Sequence, residues 1–129
     1  MAGRNSSQIA AGVFLAAILS GCEPDQSQHD IVQQLPGADA TRGASLIVSY
    51  GCGSCHFVPG VNNADGIVGP PLNGFGRRVY VAGMLRNTPD NLVSWIENPQ
   101  AVVPGNAMPN MDVSDRDAQD IAAYLYTLR

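Results

Sequence analysis

A histidine directly follows a pair of cysteines in the motif Cys-Gly-Ser-Cys-His, which occupies residues 52–56 of this 129-residue chain. Three kinds of site share this spacing. A structural zinc site needs four ligands, whereas the motif offers three. The other histidine, His29, lies in a polar segment with no core to hold it. A thioredoxin-like redox pair needs a preceding strand in a βαβ context, and the residues before Cys52 show a helical pattern instead.

The third kind of site is a covalently attached haem. The thiols of Cys52 and Cys55 would each add across one vinyl group, and their three-residue spacing matches the separation of the two vinyl groups. His56 would then lie beneath the iron as an axial ligand. In an exported protein the pattern C-x-x-C-H is a strong indicator of c-type haem. We therefore predict one haem c, held by these three residues.

The N-terminus indicates export. Residues 9–19 form an apolar run that is too short to cross a bilayer but suits a signal peptide. The following Leu-Ser-Gly-Cys at residues 19–22 resembles the lipobox of bacterial lipoproteins. We predict that residues 1–21 are removed and that Cys22 carries the lipid. The alternative is an ordinary secretory signal with a chance cysteine. Either pathway exports the chain to a compartment that permits disulfides, and we expect a lipid-anchored protein of the bacterial periplasm.

The charge of the chain argues against one class of partner. Its formal net charge is -4, and all seven basic residues are arginines. An acidic chain without a basic cluster cannot neutralise a phosphate backbone, so we expect no binding to nucleic acid.

After the signal, we divide the chain into a flexible tether at residues 22–38 and one domain at residues 39–129. Helices are predicted over 40–50, 88–98 and 114–128 from apolar periodicity, with Thr88 and Ser114 as N-caps and Pro99 as a stop signal. Residues 57–87 are rich in glycine, proline and asparagine and show no helical or strand period. We expect this long segment to have little core of its own and to wrap a large apolar object.

A haem that carries electrons in a low-spin state needs a second axial ligand, and a thioether raises its potential. Three methionines are candidates after removal of the signal: Met84, Met108 and Met111. Met108 lies in a loop rich in proline and glycine between the last two predicted helices.

Four segments, CGSCH, GPPLNGFGRR, NLVSWIENPQAVVPGNAMP and DIAAYL, occur in this order, and with them the chain resembles a class I cytochrome c over residues 39–129. The likeness is closest to the cytochrome c domain fused to subunit II of some bacterial haem-copper oxidases. Here the domain is expected to stand alone behind a lipoprotein-like signal. The resemblance implies an all-α class I cytochrome c fold, with three main helices and long loops wrapped around one covalent haem.

The resemblance also implies roles for single residues. Met108 matches the axial methionine, with Met111 as the rival ligand. Pro70 matches the residue whose carbonyl accepts the Nδ1 proton of His56, a bond that fixes the tautomer of the histidine and raises its basicity. Leu72 would pack on the haem.

Further roles concern the haem surroundings and the helix packing. Trp95 matches an aromatic residue beside the haem, and Arg77 or Arg78 would pair with a haem propionate, with plain surface charge as the alternative. Gly43 and Ile47 match first-helix residues that cross the terminal helix near Ile121 and Tyr124.

With His56 and Met108 both on the iron, the resemblance implies an electron carrier and not an enzyme. The expected partner is a membrane redox protein such as a haem-copper oxidase or a dehydrogenase. Docking through a ring of lysines is excluded by composition, so we expect apolar and polar contacts or a basic partner. Two alternatives remain: a haem-ligand sensor or weak peroxidase whose Met108 dissociates, and a non-haem metal or redox module.

Overall fold

The computed structural model describes residues 34–129. The predicted signal peptide, Cys22, His29 and most of the tether lie outside these residues. Within them, helix α1 (Ala40–Ser49) is followed by strands β1 (Tyr80–Val81) and β2 (Leu85–Arg86), which pair antiparallel, and then by helices α2 (Pro89–Glu97), α3 (Pro99–Val102) and α4 (Asp115–Thr127). The three longer helices are the three that were predicted, and the mainly helical fold is confirmed.

Side-chain caps explain where the helices begin. The Asp39 carboxylate accepts hydrogen bonds from backbone N–H groups in the first turn of α1. Thr88 and Ser114 do the same for α2 and α4, as predicted. Pro99 follows the C-cap Asn98 and marks the end of α2, as predicted, and it also opens the one-turn helix α3. A proline fits this first position because its missing N–H has no partner there in any helix.

Helices α1 and α4 cross in direct backbone contact, and Gly43 lies at the crossing. A Cβ atom on this glycine would lie 2.0 Å from the carbonyl oxygen of Asp120 and 3.1 Å from the backbone nitrogen of Ile121. Ile47, one turn further along α1, is 1% exposed. The predicted close approach of the first and last helices at Gly43 is confirmed.

An ionic cluster ties the same two helices together. Asp120 is fully buried and accepts hydrogen bonds from the Asp39 N–H, at 2.8 Å, and from the Arg42 guanidinium. Burial alone would raise the pKa of Asp120, but these donors and the nearby charge of Arg116 lower it below its usual value. Asp117, three residues nearer the start of α4, accepts from Arg42 as well.

The Tyr50 hydroxyl completes the cluster by donating to Asp117 at 2.7 Å. This bond, together with Arg42, lowers the pKa of the Asp117 carboxyl. Both carboxylates of the cluster are therefore ionised at neutral pH, and α1 is held on α4 by charge as well as by apolar contact.

Residues 57–87 contain more regular structure than their lack of a helical or strand period indicated. This segment contains the β1–β2 hairpin and a 3₁₀ turn at Phe75–Arg77. Four of its apolar side chains are buried: Val58, Ala64, Phe75 and Val81. The ring of Phe75 packs edge-on against Tyr126 of α4, with centroids 6.2 Å apart. The segment therefore belongs to the core of the domain, and its buried residues stand singly between turns.

The packed region also begins before the predicted boundary at residue 39. Leu35 is 5% exposed and belongs to the core, with Ala38 packed against it at the edge. The Arg116 guanidinium donates to the carbonyl of Gly37 and fixes this entry segment to α4. Across the described residues, no helix has the length and apolar character needed to cross a membrane.

Candidate functional site

The cysteine motif follows α1 after a sharp turn. Gly51 has a left-handed conformation, with φ of 69°, which lets the chain turn directly after the helix. Residues Cys52–Ser54 form one 3₁₀ turn, and the N–H groups of both Cys55 and His56 point back to the carbonyl of Cys52. These two hydrogen bonds close a tight turn, so Cys52, Cys55 and His56 lie within a single turn of the backbone.

Both thiols of the motif are free, and both cysteines are half-buried. Cys52 packs against the hydrophobic core, and this burial raises the pKa of its thiol. The cysteine is therefore a neutral thiol at neutral pH. Among residues 34–129 no group of three or more histidine, cysteine, aspartate or glutamate side chains is arranged to hold a metal ion.

The His56 ring is held at one nitrogen by a backbone carbonyl. Its Nδ1 lies 2.8 Å from the carbonyl oxygen of Pro70. Since a carbonyl can only accept, Nδ1 carries the proton and donates it, which leaves the lone pair of Nε2 free for a metal. The structure thus brings together the histidine and the proline that the sequence resemblance paired.

A stretch of extended chain, residues 66–72, runs beside the motif, and we call it the strap. Backbone hydrogen bonds join the two at three points: Gly66 N–H to Gly53 carbonyl at 3.0 Å, Gly69 N–H to Cys55 carbonyl at 2.8 Å, and Leu72 N–H to Phe57 carbonyl at 2.8 Å. The position of the Pro70 carbonyl is therefore fixed by hydrogen bonds to two residues of the motif and to Phe57, which directly follows it.

Arg78 contacts the strap through its guanidinium group. Its guanidinium donates to the carbonyl of Pro71 and lies over the Phe75 ring, 5.2 Å from the centroid. A cation over an aromatic face is attracted by the ring quadrupole. The resemblance implied that Arg77 or Arg78 pairs with a haem propionate. The structure engages Arg78 with the strap, while Arg77 is exposed.

The loop that carries Met108 is fixed through its backbone. The Met108 N–H donates to Asn106 Oδ1 at 2.7 Å, and the Met108 carbonyl accepts from Gln100 Nε2 at 2.9 Å. Asn106 in turn donates to the carbonyls of Pro99 and Val103. Both polar backbone groups of the methionine are thus tied to α3 and its following turn.

The three candidate methionines differ in their surroundings. Met108 is half-buried, whereas Met84 is 63% and Met111 is 38% exposed. Leu72 and Trp95 are half-buried and pack against the hydrophobic core. Met108 is therefore the least exposed of the three, and its role as a ligand stays a prediction.

Sequence reasoning missed Gln100 and Asn106, which fix Met108, and Arg78 as the brace of the strap. Amides and arginines of this kind are common on protein surfaces, so nothing in their spacing marks them. Only the proline–glycine composition of the Met108 loop indicated that its conformation is special.

Two free thiols, an imidazole with a free Nε2 and a thioether form the donor set of a c-type haem. The thiols lie one turn apart, and the imidazole is already oriented by a carbonyl. The residues present therefore fit the group that the motif predicts.

Comparison with known proteins shows which proteins the chain is similar to. The family model described as "Cytochrome c" matches residues 40–129. The chain is similar to cytochrome c oxidase subunit 2 of Alkalihalophilus pseudofirmus, with 37% identity over 91 residues, 70% of this chain and 26% of the relative. It is also similar to the proteins of the same name from Bacillus subtilis, 33% identical over 89 residues (67% of this chain, 25% of the relative), and from Bacillus sp. (strain PS3), 30% identical over 87 residues (64% and 24%). The chain therefore spans about a quarter of the length of these relatives.

Proposed function

The chain belongs to the cytochrome c family, and on this basis we propose that it carries single electrons by means of one covalently bound haem c. The observation that carries the proposal is the motif itself. Two free thiols lie one turn apart next to His56, whose Nδ1 is held by Pro70 so that Nε2 is left for the iron. When bound, the haem supplies a reversible one-electron couple.

Cys52 and Cys55 would hold the group through two thioether bonds. Each sulfur bonds to one carbon of a vinyl group while the thiol hydrogen passes to the other carbon, so no oxidant or reductant is consumed. His56 Nε2 and the Met108 sulfur would be the two protein ligands of the iron. With both positions taken by protein side chains, no site for a substrate remains, which supports an electron carrier over an enzyme.

Exposure of the reduced protein to carbon monoxide tests this assignment. We expect no change in the visible spectrum of the native protein, because Met108 would hold the position that carbon monoxide needs and its loop is fixed at both backbone groups. The variant Met108→Ala should bind carbon monoxide and should lose the weak absorption band near the red edge of the visible that reports sulfur ligation of ferric haem.

Met111→Ala is the matched control, since Met111 lies three residues further along the same chain segment and is more exposed. Met111→Ala should keep the native visible spectrum, including the band from sulfur ligation, and should not bind carbon monoxide. Loss of the band in Met111→Ala with its retention in Met108→Ala would reassign the ligand. Binding of carbon monoxide by the native protein would favour the haem-ligand sensor or weak peroxidase.

We further propose a membrane redox partner such as a haem-copper oxidase or a dehydrogenase. The relatives are named as oxidase subunits, and the region that matches this chain is about a quarter of each of them. The absence of lysine leaves no lysine ring for docking. Near the motif, Ile67 is 93% and Val68 is 79% exposed on the strap. This apolar surface supports docking by contacts that depend little on salt.

Attachment to a periplasmic membrane through a lipid on Cys22 remains our proposal. It is motivated by the Leu-Ser-Gly-Cys sequence at residues 19–22. We expect Cys22→Ser to move the protein from the membrane to the soluble fraction with an unchanged haem spectrum, whereas Ser27→Ala should leave it on the membrane. Stable anchoring takes more than one acyl chain. Radiolabelled fatty acid should therefore be incorporated into the native protein and Ser27→Ala but not into Cys22→Ser. A Cys22→Ser protein that still sediments with membranes after a high-salt wash would refute the lipid anchor.

A further inference from the structure

The backbone of Gly69 lies directly against the His56 ring. A Cβ atom on this glycine would lie 2.3 Å from Cε1, 2.6 Å from Nδ1 and 2.9 Å from Nε2 of the imidazole. Non-bonded carbon atoms normally approach to about 3.5–4.0 Å. No side chain of any size therefore fits at residue 69 while the ring stays in place.

The geometry places this contact on the face of the ring. An atom approaching Cε1 in the ring plane from outside would lie much farther from both nitrogens than from Cε1. Here the three distances differ by only a few tenths of an ångström, so the atom would stand above the plane near Cε1. Gly69 is also not among the glycines with positive φ. The need for glycine at this position therefore comes from the contact and not from a turn.

We propose that Gly69 is a positioning residue that sets the plane of the His56 imidazole. The hydrogen bond from Nδ1 to Pro70 fixes one point of the ring but leaves it free to swing about the donor–acceptor line. The terminal torsion of histidine is broad, so the side chain alone does not choose the plane. Backbone packed on the ring face removes this remaining freedom.

The backbone at residue 69 cannot shift to make room for a side chain, because a hydrogen bond holds it to the motif. Its N–H donates to the carbonyl of Cys55, the residue before the histidine, at 2.8 Å. The next residue, Pro70, holds Nδ1. A Cβ at residue 69 must therefore tilt the ring or push the strap away and lengthen the bond to Pro70. The proposal rests on the proposed function, in which His56 is an axial ligand of haem.

The variant Gly69→Ala tests the proposal in the haem-loaded, full-length protein. Two readouts follow the ligand itself. The order and spread of the haem methyl resonances in the proton spectrum of the ferric protein depend on the plane of the axial imidazole. The midpoint potential depends on the hydrogen bond to Nδ1. We expect a changed order of methyl resonances and an upward shift of the potential, because a weaker bond to Pro70 makes the imidazole a poorer donor.

Gly76→Ala is the matched control. A Cβ atom there would lie 2.4 Å from the carbonyl oxygen of Tyr126, so it is as crowded as at residue 69 but contacts α4 and not the histidine. Both variants should unfold at lower temperature than the native protein. Only Gly69→Ala should change the methyl order and the potential. A native methyl pattern and potential in Gly69→Ala, or the same changes in both variants, would overturn the proposal.

A measurement on the native protein decides the matter if Gly69→Ala does not mature. In the reduced, diamagnetic protein, the Cε1 proton of His56 should show a strong nuclear Overhauser effect to the Gly69 α-protons. Absence of that effect would overturn the role of Gly69. Failure of the proposed function is recognised separately, since a native protein without covalent haem would show no haem resonances at all.

Discussion

Replacing Cys52 and Cys55 together by alanine is expected to abolish covalent haem completely. The two thiols are the only attachment points that the donor set offers, and both are free in the fold. The readout is haem staining after denaturing electrophoresis of protein exported by its own signal from a host that matures c-type cytochromes. Non-covalent haem is lost under these conditions, whereas thioether-bound haem stays with the chain.

The two single-cysteine variants are expected to give intermediate haem staining. Cys52→Ala and Cys55→Ala each leave one thiol for one thioether bond, so we expect reduced but detectable staining. Ser54 lies between the two cysteines, and its hydroxyl donates to the Gly51 carbonyl. The variant Ser54→Ala keeps both thiols and should stain as the native protein does. Staining that survives in the double variant at the native level would show that the haem is attached elsewhere.

Gly43→Ala is expected to destabilise the domain by about 3 kcal/mol, at the upper end of the usual cost of overpacking. The new methyl group would lie 2.0 Å from the carbonyl oxygen of Asp120, so α1 and α4 must separate. Separation also stretches the buried contacts of Asp120 with Asp39 and Arg42. At roughly 4–8 °C per kcal/mol for a domain of this size, the thermal midpoint should fall by well over 10 °C.

The direction in which the thermal midpoint of Gly43→Ala changes distinguishes a crowded helix from a free one. In an isolated helix, alanine is more favourable than glycine by about 1 kcal/mol, so a helix that does not touch a partner would gain stability from the substitution. Ser45→Ala, two residues away on the exposed side of α1, should change the midpoint little. A midpoint that rises in Gly43→Ala would contradict the close crossing of the two helices.

The parts of the fold that could be predicted are those with a local physical cause. Thr88 and Ser114 can cap a helix with their own side chains, so α2 and α4 begin where the sequence indicated. A glycine inside a helix carries a cost, and the close crossing at Gly43 accounts for it. The motif at residues 52–56 indicates a haem because the spacing of its donors is set by the group they would bind.

The parts that could not be predicted depend on partners far apart in the chain. The strands of the hairpin have two residues each, which is too short for an alternating pattern. Leu35 is a single apolar residue between Gln34 and Pro36, so its burial left no periodic signal. The Arg42–Asp120 pair joins residues 78 positions apart.

Part of the candidate site was hidden for the same reason. Pro70 could be paired with His56 only through the family resemblance, because 14 positions separate them. The contact of Gly69 with the imidazole depends on how the strap lies over the ring, which no local pattern expresses. The fixation of Met108 by Gln100 likewise depends on the path of the loop between them.

The mass of a single peptide shows whether the motif holds one haem covalently. Cleavage at Arg42 and Arg77 releases residues 43–77, which contain both cysteines and His56 but neither the signal nor Cys22. We predict that this peptide, isolated under denaturing conditions from the native protein, has the mass of its amino acids plus one haem and absorbs in the Soret region. A colourless peptide at the unmodified mass, or one lighter by two hydrogens because the cysteines form a disulfide, would contradict the account.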